Sequence, residues 1–353
     1  MCFINIKMAY ILIDKLPIYI CKYIESFNIA YNPTIHTPIY LISCHNLDGL
    51  KWLNKEKPKV LLNHTSSLID YAVMCNDFCI VKWLHINNVS FATVNAINIA
   101  AQNGNMEIVK FLHTYRNEGC SKHAMNMASK NGHLEVVKFL HTYRKEGCDT
   151  FAIDYASYQG HLNIVKWLIK HRTEGCSSLA MDWAAKNNHE DIVKCLFLVY
   201  GHIYSRRIFD YMIRNNNLGL LKWCMEHNFN YSNSILTSAF YYNNIDIIYY
   251  LISKCKECPS RVLYMVAFQT NVNLMNILYI NYPEIFTYNN IVYIIFDCIY
   301  KKNIELFEFY MIHWPSILCA NDVFITQCKH TELLNIYIKY IPNYTKYFID
   351  NIF

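Results

Sequence analysis

From Leu68 to Met225 the apolar and polar positions follow a pattern that repeats. In residues 149–176, Ile153, Ala156 and Ser157 stand at i, i+3 and i+4, which places them on one face of a short helix. Ile164, Val165, Trp167 and Leu168 then form the apolar stripe of a second helix. Gly160 separates the two, at the point where a helix end favours a residue able to turn left-handed. Its equivalents are Asn76, Gly104, Gly132, Asn188 and Asn216, all Gly or Asn, the residues that enter positive φ at least cost. Glu107, Glu135, Asn163 and Asp191 occupy the opening turn of the second helix, where a carboxylate complements the positive end of the helix dipole. Glu174-Gly175-Cys176 closes the unit, matched by Glu118-Gly119-Cys120 and Glu146-Gly147-Cys148. The predicted unit is helix, tight turn, longer helix, Gly-bearing loop.

The period is constant. Lys82, Lys110, Lys138, Lys166, Lys194 and Lys222 follow one another at steps of 28 residues. Asp70, Asn98, Asn126, Asp154, Asp182 and Asp210 keep the same step, 12 residues earlier. A fixed period in this range marks a solenoid of stacked supersecondary units. Degenerate copies extend it to anchors at Lys51, Tyr249, Asn276, Glu308 and Asn335, at steps of 31, 27, 27, 32 and 27, for about eleven units. The expected organisation is an N-terminal capping segment over residues 1–36, a repeat array over 37–280 that is regular over 68–225, and degenerate C-terminal repeats with a cap over 281–353.

The stretch NGHLEVVKFL (Asn131 to Leu140) resembles the second half of an ankyrin repeat, with Gly-Cys where that family has Gly-Ala in the closing loop. The family's TPLH helix start is replaced by Ala96-Ile97-Asn98, Ala124-Met125-Asn126, Ala152-Ile153-Asp154 and Ala180-Met181-Asp182, and only Thr37-Pro38-Ile39-Tyr40 is similar to the original. The 28-residue unit is shorter than the family's ~33 residues, and the missing residues fall in the inter-repeat hairpin. The resemblance therefore implies an all-α, ankyrin-like helical solenoid of helix–turn–helix repeats with shortened or absent β-hairpin fingers. Short repeats rich in Asn and Tyr also resemble those of giant DNA virus ankyrin proteins, which implies residence in a host cell cytoplasm.

Composition narrows the function classes. The chain has 353 residues, 54% of them apolar, and a net charge of +5 that falls well short of a nucleic-acid-binding footprint. The lysine ladder reads as a solvated helix face with i, i+3 partners such as Glu107 and Glu135. Fifteen scattered Cys fit reduced thiols inside a cell, and Cys120, Cys148 and Cys176 lie one per unit, too far apart for disulfides. Cys255-Lys256-Glu257-Cys258 has no second pair at zinc-site spacing. The His at 85, 113 and 141, and those at 133, 161 and 189, recur once per unit. No apolar run reaches the ~20 residues that a membrane helix needs. No catalytic motif, cofactor or metal site is evident, and a monomer is expected.

The expected function is a non-catalytic protein–protein interaction scaffold. Asp14-Lys15-Leu16-Pro17-Ile18-Tyr19-Ile20 is faintly similar to the start of an F-box, which implies as an alternative a substrate-recognition adaptor for a ubiquitin ligase. The Asp/Asn ladder reads as structural, a short polar side chain bonding backbone of its own or the adjacent unit. One residue further on stand Tyr71, Met127, Tyr155, Trp183 and Tyr211, expected to face out of the core into the concave groove. Three positions later come Lys130, Tyr158, Lys186 and Arg214. Aromatic residues mixed with cations suit recognition of a protein partner. Tyr155 and Trp183 are expected ~10 Å apart, the helix-packing distance, with Trp183 exposed.

Overall fold

In a computed structural model, residues 37–315 and 331–340 are described, except 63, 65, 202 and 233. The expected N-terminal cap, the F-box-like stretch at 14–20 and the expected C-terminal cap lie outside the described residues. Among the described residues every regular element is a helix, and no strand occurs. The chain divides between Ser205 and Arg206 into two compact units. The first holds six helix pairs, Thr37–Ser43 with Leu47–Glu56, Leu68–Met74 with Phe78–Ile86, Val94–Asn103 with Met106–Tyr115, Lys122–Lys130 with Leu134–Tyr143, Phe151–Gln159 with Leu162–His171, and Ser178–Lys186 with Glu190–Tyr200. The second holds four, Arg207–Arg214 with Leu218–Glu226, Ser234–Tyr241 with Ile245–Ile252, Arg261–Phe268 with Val272–Asn281, and Tyr288–Lys301 with Ile304–His313, followed by the Thr331–Tyr340 helix. Each unit is a helical solenoid in which a pair packs against its neighbours.

All eleven anchor positions fall on the second helix of a pair or, for Asn335, on the Thr331–Tyr340 helix. The two long steps have visible causes. An extra short helix, Pro58–Leu62, fills the step of 31, and a 3-10 turn at Pro283–Ile285 with a 14-residue first helix, Tyr288–Lys301, fills the step of 32. The tight turns take the left-handed backbone expected of them, with φ of 58° at Asn76, 84° at Gly132, 86° at Gly160 and 63° at Asn188.

The core repeats as the helices do. Ala100, Ala128, Ala156 and Ala184 have no exposed surface, and their small size lets the first helices approach closely. Ile164, Val165 and Leu168 bury the second helix of the same unit, while Lys166 between them is exposed. Ser129 and Ser157 occupy a fully buried slot that Ala101 and Ala185 fill in the flanking units, and their hydroxyls have no hydrogen-bond partner.

The Asp/Asn ladder joins each unit to the next. Asp70 accepts hydrogen bonds from the Thr93 N–H at 3.0 Å and the Thr93 hydroxyl at 2.5 Å. Asp154 does the same for Ser177, at 2.9 and 2.6 Å, and Asp182 accepts from the Ser205 N–H at 3.0 Å. Where the ladder residue is an amide, the side-chain bond reverses. Asn98 donates to the Ser121 hydroxyl at 3.0 Å, and Asn126 donates to the Asp149 carboxylate at 2.8 Å. Thr93, Ser121 and Ser177 also cap their own helices, through Asn95, His123 and Leu179 N–H groups. Burial pushes the Asp154 carboxyl above its ordinary pKa, although both Ser177 bonds favour the charged form.

Two further sets of contacts line the rest of the joint. In the loops, Arg116 pairs with Glu118, Arg144 with Glu146 at 2.5 Å, and Arg172 with Glu174. Burial opposes the Glu146 charge, yet bonds from Arg144 and from the Cys120 and Glu146 N–H groups bring its pKa down to about 2. The Cys120 N–H bond to Glu146 crosses from one unit to the next at 3.2 Å. On the second helices, His85, His113 and His141 meet Phe111, Phe139 and Trp167 of the following unit edge-on, at 5.3, 5.4 and 5.1 Å between ring centres.

Four stability outcomes follow from this packing. Ala156→Leu overfills a closed slot and should cost ~1–3 kcal/mol, read as a lower urea midpoint; an unchanged midpoint would mean the face is not closed. Ser157→Ala removes a buried unpaired hydroxyl and should raise stability by ~1 kcal/mol, whereas a loss would show that the hydroxyl is bonded. Asn126→Asp sets a second carboxylate against Asp149 and should destabilise the chain by on the order of 2 kcal/mol at neutral pH. That new carboxyl would have a raised pKa in the folded state, so the penalty should fade as pH drops through the carboxylate range. Asp154→Asn should be tolerated, because Asn98 already makes that pair with Ser121. Equal urea midpoints for Asn126→Asp at neutral and acid pH would contradict the assignment.

Candidate partner-binding face

The four first helices from Val94–Asn103 to Ser178–Lys186 bury the residue before the ladder position and the ladder residue itself, whereas Asp70 is half-buried and Asp210 exposed. Ile153 and Asp154, and likewise Met181 and Asp182, are 0–5% exposed, which leaves Tyr155 and Trp183 to project from the opposite side. Ala156 and Ala184 follow, again buried, so the helix phase fixes where the aromatic residues point. Trp183 and Tyr155 are both half-buried.

Their burial comes from one another. The rings of Tyr155 and Trp183 lie 6.1 Å apart and nearly parallel, at 2°, closer than the helix spacing implied, because both side chains lean across the gap between units. Tyr158 meets Trp183 edge-on at 5.6 Å, and Lys130 of the preceding unit holds its ammonium 5.3 Å from the Tyr155 ring centre. Trp183 is therefore not the freely exposed side chain expected from its spacing. One face rests on Tyr155 and part of it on the Tyr158 edge.

Phe151 completes the cluster and was not among the expected residues. It stacks on Tyr155 at 5.2 Å and remains 42% exposed. Leu179, at the same place in the next unit, is 38% exposed. Both stand four residues before the slot that holds Tyr155 and Trp183, one helical turn back on the same face, which is the signal that could have found them.

The other expected residues are more dispersed. Lys186 is exposed, one turn beyond Trp183 on the same helix. Met127, half-buried, lies one turn before Lys130, and Tyr71, half-buried, is on the Leu68–Met74 helix. Tyr211, half-buried, and Arg214, exposed, belong to the second unit, on its Arg207–Arg214 helix. The contacts bring together Lys130, Tyr155, Tyr158 and Trp183, with Phe151 added.

Several buried reactive side chains elsewhere are held in quiet forms. Burial pushes the Cys148 thiol up to about 11 and the Cys176 and Cys258 thiols up to about 12, so these sulfurs stay protonated and weakly nucleophilic. His133 and His161 donate ring N–H groups to the Gln102 and Lys130 carbonyls of the preceding unit, at 3.1 Å each. Burial lowers the His161 pKa, which favours its neutral form. Lys138 pairs with Glu135 at 2.7 Å and Lys194 with Glu190, as a solvated lysine row does. Among the described residues no cluster of three or more His, Cys, Asp or Glu is placed to hold a metal ion, and no helix is long and apolar enough to cross a membrane.

A family model for ankyrin repeats, in three copies, matches residues 69–154 and 125–207. No curated protein matches the chain. The matched segments contain the ladder from Asp70 to Asp182 and the whole aromatic cluster around Tyr155 and Trp183. Such repeats in general mediate protein–protein interaction and typically serve as non-catalytic scaffolds. With helix pairs, left-handed turns and a family match over the same residues, residues 69–207 form an array of ankyrin repeats.

Proposed function

We propose that this chain is a scaffold that grips another protein through the face of its first helices, centred on Tyr155 and Trp183. The observation that carries this reading is the aromatic cluster itself. Phe151, Tyr155, Tyr158 and Trp183 from two successive units present a joined, partly exposed apolar surface, with Lys130 and Lys186 at its margins. Tyr, Trp and cationic groups in this combination are what protein interfaces concentrate, and central aromatic anchors carry most of the binding energy. Tyr71 and Met127 would extend the surface along the earlier units, and Tyr211 and Arg214 would offer the equivalent surface in the second unit.

Capture of partners from cell lysate, read by mass spectrometry with the wild-type chain and its variants, tests the proposal. Trp183→Ala should weaken retention of the partner by ~2 kcal/mol or more. It should also lower the urea midpoint modestly, by roughly 1 kcal/mol, since two ring contacts are lost. Lys166→Ala, on the opposite row of helices, should change neither. A folded Trp183→Ala chain that retains the same proteins as wild type would mean that the partner uses another surface.

A further inference from the structure

The charges on the first helices differ from those on the second. Along Val94–Asn103, Lys122–Lys130, Phe151–Gln159 and Ser178–Lys186, the only carboxylates are Asp154 and Asp182, both buried and bonded to the following unit. The Lys on the same helices, Lys122, Lys130 and Lys186, are exposed or half-buried. Every formal charge that these four helices turn to solvent is thus positive. The second helices behave otherwise, with Glu107, Glu135, Glu190 and Asp191 mixed among the lysines. The loops add a single acid without an ion pair beside these helices, Asp149, at the start of the Phe151–Gln159 helix. Glu118, Glu146 and Glu174 are each paired with the Arg two residues before, and Asp149 accepts from both Asn126 and the Phe151 N–H.

We infer that the partner segment seated on this face is acidic, with an aromatic or aliphatic side chain placed against the Phe151–Tyr155–Trp183 stack and carboxylates toward Lys130 and Lys186. This rests on the proposed binding face and adds the chemistry of its occupant. The inference follows from complementarity. A basic segment would meet mostly like charge here, with Asp149 as the one acid near the stack and that carboxylate already holding two hydrogen bonds, whereas an acidic one gains attraction without displacing any existing ion pair of Lys130. The stack supplies the apolar anchor site, and the lysines set the sign of what surrounds the anchor.

Selection from a random dodecapeptide phage library against the full-length chain tests the inference. Peptides that bind wild type and lose binding to Trp183→Ala should be net negative and carry Trp, Phe, Tyr or Leu. Their affinity should fall roughly tenfold in the double variant Lys130→Glu, Lys186→Glu, with circular dichroism confirming that it stays folded, and should weaken as salt is raised. Trp183-dependent peptides that are net positive or neutral, or that ignore the charge reversal, would overturn the acidic occupant while leaving the binding face in place. A library that yields no Trp183-dependent peptide would overturn the face and its occupant together.

Discussion

In the first unit the stack depends on the clasp between a ladder side chain and the residue 23 positions downstream, at the entry to the next first helix. It can close only when the following unit is present, so an isolated helix pair would leave a carboxylate or amide at its open end. That is the nearest-neighbour coupling expected of a repeat protein, in which interfaces between units supply what single units lack. The clasp also fixes the rotation of each first helix. With Asp154 and Asp182 turned into the joint, the residues that follow them must face outward, and Tyr155 and Trp183 are brought into ring contact as a consequence.

Three lines of contact run in parallel through the first unit. The polar clasp holds the side of the first helices, the alanine row at 100, 128, 156 and 184 lets those helices approach, and the His–aromatic edges join the second helices. The loop pairs of Arg and Glu add a fourth near the Gly-Cys turns. Each is modest alone. Repetition along the stack makes their sum large.

Much of this was legible in the chain. The left-handed turns at Asn76 and Gly160 and the pairing of helices were readable because the same spacing recurs and each copy confirms the others. The ladder's structural role was also readable, but its partner was not. The residues at the receiving position are Thr93, Ser121, Asp149, Ser177 and Ser205, a mixed set whose logic appears only once donors are matched to acceptors. Side-chain direction was the weakest point. Backbone spacing separates Tyr155 from Trp183 by a helix-packing distance, while the rings cross that gap and stack. The repeat does not mark Phe151, because its position, one turn earlier on the same face, holds Asn95, His123 and Leu179 in other units.

The tight turns carry a consequence for how such an array can be rearranged. A side chain added at Gly132 or Gly160 would strike the imidazole of His161 or His189 from the next unit, within 2.8 and 2.5 Å. At the other kind of turn, Asn105 instead donates to the Asn76 side chain at 2.9 Å, and Asn271 to Asn243 at 3.5 Å in the second unit. Through the regular repeats Gly is therefore read by His and Asn by Asn, while the first turn pairs His45 with Asp77 at 2.9 Å. A unit that opens its second helix with His fits only behind a Gly turn, so modules can be duplicated, deleted or exchanged within one class but not across the junction between classes. The 28-residue period makes the units look interchangeable, while this two-letter grammar at their turns restricts the order in which they can be strung.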